Sequence, residues 1–259
     1  MSAHLRELGL SFVSELETPD KLVPYAEAIQ RIQSMGGVVG DRQPPLSDSP
    51  WPGLIKRHGF YTVITEEFMR ELLNEIHKER LINVPAIEVC AGRGVLSYQL
   101  QKAGMGIVAI DNGSDERTRD RSFAPVVDTL DHRQALEKYE PSLVVGMWLP
   151  NEPEIGRDIL GFPSVKYFLD IAEQRGGNSW LTEEYIPENF KLMYLLNVGR
   201  YAIGTSDYFL RDGEIVRFNR HTEARLWKRK GAPMTLNHEY ALSGNTIYNH
   251  LKVLRAVNS

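Results

Sequence analysis

Apolar positions along the chain fall first at helical spacing and then in short runs. Between Lys21 and Met35, the residues Ala26, Ile29, Ile32 and Met35 share one side of a predicted helix, which Gly36 and Gly37 end. Pro44, Pro45, Pro50 and Pro52 forbid regular structure and predict an extended connector. Thr65 stands where it can cap a helix through residues 66–80, with Phe68, Leu72, Leu73 and Ile76 as its apolar stripe. Glu66 and Glu67 in its first turn, and Lys78 and Arg80 in its last, suit the helix dipole.

From Pro85 the period changes. Short apolar runs at 86–90, 106–111, 125–128, 142–148 and 165–173 alternate with helical and turn segments, the pattern of an α/β protein with a parallel sheet. Residues 187–197 read as a helix opened by Pro187. Residues 200–210 and 221–230 read as two final strands, neighbouring and antiparallel across the turn at 211–214. Three units follow: an N-terminal helical extension with its Pro-rich connector (1–60), placed to act as a lid or a homodimer contact; an α/β domain (61–230); and a C-terminal tail (231–259) to which no element is assigned.

Composition narrows the classes. With 25% charged and 42% hydrophobic residues over 259 positions, the chain is an ordinary globular protein of one to two domains. A net charge of −4, from 30 basic and 34 acidic residues, argues against a protein devoted to wrapping nucleic acid. The single cysteine, Cys90, excludes an internal disulfide, and the seven histidines show no metal-ligand spacing, so no metal is expected. No apolar run is long enough to span a membrane, and the first residues, MSAHLRELGLSF, lack a signal-peptide core, so a cytoplasmic protein is expected.

The chemistry concentrates in AIEVCAGRGVLSYQLQKAGMGIVAIDN. A strand carrying Glu88 runs into the turn Gly92-Arg93-Gly94, a helix follows, and a second strand ends at Asp111, nineteen residues after Gly92. One strand–helix–strand unit brings both strand ends to the carboxyl edge of the sheet. The glycines admit a ligand close to the backbone, and an acid at the second strand end can accept both hydroxyls of a ribose. Two ligand classes fit. A dinucleotide fold wants a third glycine where Ser97 stands, and its diphosphate would be repelled by Glu88, whereas the ammonium of an amino-acid moiety would be attracted. S-adenosylmethionine is therefore favoured over a nicotinamide cofactor.

On these residues the chain resembles the class I, seven-stranded, Rossmann-like S-adenosylmethionine-dependent methyltransferases over roughly residues 60–230. Cys90 stands where that family most often has its first glycine. The resemblance implies a doubly wound, mostly parallel seven-stranded sheet with an antiparallel last strand. It also implies cofactor contacts from Glu88, Gly92, Gly94 and Asp111, with Asn112 packing on the adenine and Leu130 and Asp131 at its edge. Trp148, at the end of the fourth strand, would face the sulfonium, and Tyr61 the cofactor carboxylate, with Thr62 and Thr65 as further candidates. The expected activity is methyl transfer to oxygen, nitrogen or carbon of a small molecule. A non-catalytic binding protein of the same fold, an RNA- or protein-directed enzyme and a nicotinamide-dependent oxidoreductase are the alternatives.

Other residues read more plainly. Glu152 and Glu154 suit a solvated loop, and the bases Arg225, Lys228, Arg229 and Lys230 suit a solvated strand edge. His221 is a candidate base, and Gly176-Gly177-Asn178 with Trp180 a candidate loop over the substrate. Cys90 reads as a small apolar filler rather than a nucleophile.

Overall fold

The computed structural model describes residues 11–12, 22–34, 62–115, 127–150, 152–173, 187–204, 208–209, 215–216 and 222–232. The elements, in chain order, are α1 (Tyr25–Ser34), β1 (Thr62–Val63), α2 (Glu66–Lys78), β2 (Ala86–Val89), α3 (Val95–Lys102), β3 (Ile107–Asp111) and β4 (Asp128–Thr129). They continue with α4 (His132–Tyr139), β5 (Leu143–Met147), α5 (Pro153–Gly161), β6 (Tyr167–Glu173), β7 (Phe190–Tyr194) and α6 (Leu196–Arg200). The chain closes on β8 (Ile203–Gly204), β9 (Tyr208–Phe209), β10 (Ile215–Val216) and β11 (Thr222–Arg229).

Seven strands form one sheet in the order β4-β3-β2-β5-β6-β11-β7. The pairs from β4 to β6 are parallel, and β11 lies antiparallel to both β6 and β7. Strand alternation sorts the side chains. Leu143 and Val145 face the layer of α2, α3 and α6, while Val144 faces the layer of α4 and α5. Helices therefore cover both faces, as a parallel sheet requires, and the sheet is doubly wound.

The helix boundaries follow local chemistry. Thr65 caps α2 by accepting the Phe68 amide at 3.1 Å, as its position predicts. Asp131 caps α4 in a capping box with Gln134. The predicted N-terminal helix is found as α1. Its Ala28 and Ile32, with Val23, bury against Val63 and Ile203, and Val95 at the start of α3 packs against the same cluster.

Three expectations are corrected in the second half of the chain. Residues 187–197 are not one helix: a turn from Pro187 leads into strand β7, and the five-residue α6 follows. The apolar positions of FKLMY also fit a period of two, and β11 supplies the hydrogen-bonding partner, pairing Trp227 with Leu192. The described residues of 200–210 form no strand of the main sheet. Instead β8 pairs with β1, and β9 pairs with β10. The predicted strand at 221–230 exists as β11, but it inserts between β6 and β7 rather than beside 200–210. Both of its faces are covered, with Ala224 and Leu226 in one core cluster and Trp227 in the other.

Arg225 is consequently no solvated edge residue. It is 4% exposed and faces Asp170 of β6, itself 1% exposed, with Nη2 and Oδ2 2.7 Å apart. Asp170 Oδ1 and Arg225 Nε are buried with no hydrogen-bond partner among the described residues. Burial pushes the Asp170 carboxyl up, and Arg225 pulls against that shift. Arg229 also points inward, donating to the carbonyls of Val165 and Phe162 at 2.8 and 2.9 Å, and Lys228 pairs with Glu79 at 2.9 Å.

Candidate cofactor site at the carboxyl edge

Strands β2, β3 and β5 end side by side, and the candidate residues gather where they do. After Val89 the chain turns through Cys90, Gly92 and Gly94, all three at positive φ (53°, 56° and 73°). A Cβ on Gly94 would lie 3.1 Å from Val127 Cγ2, so conformation and space both select glycine there. Cys90 adopts the left-handed region without being glycine, at a cost of about 1–2 kcal/mol. Burial, helped by Asp111, Glu152 and Glu88, pushes its thiol up to about 12, so it stays protonated and inert, as a filler should.

Asp111 ties the turn to the second strand. Its Oδ2 accepts the Gly92 amide and its Oδ1 the Gly113 amide, both at 2.8 Å. The Asp111 carbonyl accepts the Leu130 amide at 3.1 Å, which brings Leu130 and Asp131 to the same edge. The Asp131 carboxylate is occupied with the amides of Arg133 and Gln134 at 2.8 and 2.9 Å. Asn112 is exposed, and its Oδ1 accepts the Ser114 amide at 3.0 Å.

Glu88 sits beneath the turn, 1% exposed. Its Oε2 accepts both the amide and the hydroxyl of Ser97, at 2.9 and 2.5 Å. Burial pushes this carboxyl up to about 7, with Asp111 adding to the shift and the Ser97 contacts opposing it. Ser97 is the Glu88 partner that sequence reasoning missed. It registered only as a missing glycine, although a serine at the third position of a helix is a ready donor toward a buried acid.

Trp148 follows β5 directly and is also left-handed, with φ 58° and its amide donating to the Ile171 carbonyl at 2.8 Å. Val89 is register partner to Gly146, so the turns at Cys90 and Trp148 leave adjacent strands at nearly the same level. Glu152 and Glu154 are exposed at the start of α5 rather than in a loop. Thr62 is buried in β1, and Thr65 is occupied as a cap, with its hydroxyl 3.4 Å from the Tyr201 carbonyl. Tyr61, His221 and the segment 176–180 lie outside the described residues, as do the Pro-rich connector and the turn at 211–214. Among the described residues, no cluster of His, Cys, Asp or Glu is arranged to hold a metal, and no helix is long and apolar enough to cross a membrane.

No family model and no curated protein matches the sequence. Solved structures do resemble the fold. A protein described as an RNA methyltransferase from Pyrococcus horikoshii aligns with a TM-score of 0.42 at 13% identity, covering 76% of this chain and 96% of that one. The 23S rRNA methyltransferase ErmE aligns at 0.38 and 11%, covering 73% and 78%. A protein described as an O-methyltransferase from Klebsiella pneumoniae aligns at 0.38 and 11%, covering 73% and 92%. The strand order carries the assignment: five parallel strands in the order β4-β3-β2-β5-β6, then the antiparallel β11 slotted between β6 and β7. This is the fold of the class I, seven-stranded S-adenosylmethionine-dependent methyltransferases.

Proposed function

We propose that this chain binds S-adenosylmethionine at the carboxyl edge of β2 and β3 and transfers its methyl group to oxygen, nitrogen or carbon of a small molecule. The observation that carries the reading is the Asp111 carboxylate. The amides of Gly92 and Gly113 hold it in place, and of its roughly four lone-pair sites two are left to accept ribose hydroxyls. Left-handed Gly92 and Gly94 admit the ligand close to the backbone. Asn112 is free of the core to pack on the adenine, with Leu130 and Asp131 at its edge, and Tyr61 serves the cofactor carboxylate. Trp148 walls the sulfonium side, where an aromatic face attracts a cation.

Charge supports the same choice of ligand. Glu88, Asp111 and Glu152 all act on Cys90, so the edge is negative and complements a sulfonium and an ammonium while opposing a diphosphate. Bound there, the cofactor supplies a methyl group on a positively charged sulfur. The protein's share is to orient that methyl against the acceptor and to keep water away. Residues 61–230 form the cofactor-binding unit in this reading, and residues 1–60 the extension that precedes it.

The acceptor is less constrained. The compared structures include enzymes named for rRNA, O- and glycopeptide N-methylation, and they favour none of these. A net charge of −4 does not by itself exclude nucleic acid either. The negative edge is what favours a neutral or cationic small acceptor over a polyphosphate.

Thermal melting with S-adenosylhomocysteine and, separately, with NAD tests the cofactor. Stabilisation by the first and not the second is expected, and Asp111→Ala should abolish it. Stabilisation by NAD alone would replace the reading with an oxidoreductase. Transfer of labelled methyl from S-adenosylmethionine to extract fractions tests catalysis. Label lost on nuclease treatment would move the acceptor to RNA, and binding without labelled product would leave a binding protein.

A further inference from the structure

The helix that follows the glycine turn has no cap of its own. Gly94 occupies the N-cap position of α3, its left-handed backbone excludes a side chain, and no side-chain hydrogen bond closes the helix end locally. Serine, threonine, aspartate or asparagine would ordinarily fill that role by accepting an amide two or three residues on. Here the amide three residues on is that of Ser97, and Glu88 accepts it from the preceding strand. The Ser97 hydroxyl donates to the same oxygen, so one carboxyl oxygen receives both groups. A carboxylate at this position also faces the positive end of the helix dipole.

We propose that Glu88 is a positioning residue, a strand-borne cap that fixes α3 against β2 through Ser97 and so sets the shape of the turn that receives the cofactor. The inference rests on the cofactor reading above, but it gives Glu88 a different task from touching the ligand. The path from Val89 to Val95 is held at its middle by Asp111 on Gly92 and at its far end by Glu88 on Ser97. Loosening either contact shifts the amides that face the ligand.

The cap works best as an anion, so its strength follows the ionisation of one buried group. Among the described residues, the titratable groups that face Glu88 are Asp111 on β3 and Cys90 on the turn that follows β2, with Arg93 buried in the same turn. On its other side β5 carries no charged residue. Cys90 does not titrate in the working range, and a cationic ligand nearby favours the anion of Glu88. Affinity for such a ligand therefore rises with pH across neutrality.

The test is calorimetric titration of S-adenosylhomocysteine into the full-length wild type, Glu88→Gln and Ser97→Ala at pH 6 and pH 8. Wild-type affinity should rise up to about tenfold between the two. Glu88→Gln should bind more weakly at pH 8 and lose that pH dependence, and Ser97→Ala should weaken binding several-fold at pH 8. Ionisation of the ligand's own amine cancels in the difference between proteins. An unchanged affinity and pH profile in Glu88→Gln overturns the proposal. So does a large loss in Glu88→Gln with none in Ser97→Ala, which is the signature of direct ligand contact.

A wild type that binds no S-adenosylhomocysteine at either pH would remove the cofactor reading alone. The cap is then judged in the ligand-free protein by hydrogen exchange at the Ser97 amide. Exchange should accelerate at least tenfold in Glu88→Ala, or in Glu88→Gln if the alanine variant does not fold. Unaltered exchange overturns the cap.

Discussion

Two buried carboxyls, both within the main sheet, are handled in opposite ways. Glu88, in the parallel half, meets no cation among its hydrogen-bond partners and relies on an amide and a hydroxyl from one serine. Asp170, in the half that contains β11, faces a buried guanidinium. The first arrangement leaves the carboxyl pushed up to about 7, and the second opposes the upward push of burial with a full positive charge. A group with a hydroxyl partner can change its protonation state without losing that partner. A group in a buried ion pair cannot, because either loss strands a charge. The carboxyl in the parallel half can thus gain or lose a proton in place, whereas the one beside β11 is tied to its cation.

The largest effect is expected on the ion pair. Arg225→Met should cost about 3–5 kcal/mol in denaturant unfolding, since Asp170 is left buried and unpaired. Adding Asp170→Leu should recover most of that loss. A double variant no better than the single would mean that packing, not charge, drives the cost. Next in size is Glu88→Gln, with the opposite sign. The folded carboxyl titrates at about 7 against 4.5 for the ordinary value, so the folded state binds more protons between those pH values. The Glu88 contribution to stability therefore falls as pH rises through that window and is flat above it. At pH 8 the glutamine variant should gain up to ~3 kcal/mol over the wild type, and at pH 4.5 none.

Glu88→Gln would then fold more stably and bind the cofactor less well, and a Tm series beside the calorimetry would expose that trade. Asp170 acts in the same direction, while the half-exposed Asp158, held down by Arg133 and His132, opposes it weakly. The smallest effect is at the turn. Cys90→Gly should add about 1 kcal/mol by releasing left-handed strain, less the entropy a glycine costs in the unfolded chain. A loss of stability there would show that the thiol's packing against the core outweighs its backbone.

The same division decided what could be read from the sequence. In the parallel half each strand, turn and helix is contiguous, so β2, α3 and β3 and the ends at Gly92 and Asp111 follow from local pattern. Thr65 announced its cap, and Trp148 its place at the end of β5. Strand β7 did not announce itself. Its partner, β11, lies beyond α6 and β8–β10, and FKLMY alone fits a helix as easily as a strand. Arg225 looked solvated for the same reason, since one buried neighbour on each side turns an edge pattern into a central one. Ser97 was legible in type but not in role. Its meaning depends on Glu88 lying under the helix end, a relation nine residues long that no periodicity encodes.

The slot occupied by β11 also bears on how the chain is made. During synthesis β6 emerges with one edge bare, and β7 follows with no strand to join until residues 222–229 leave the ribosome. In that interval the nascent sheet is a template for any extended segment that meets it, and β7 is free to wander. A chaperone that shields β6 until the last strand arrives would raise the yield of native protein more than one acting on the earlier βαβ units, which close as they are made.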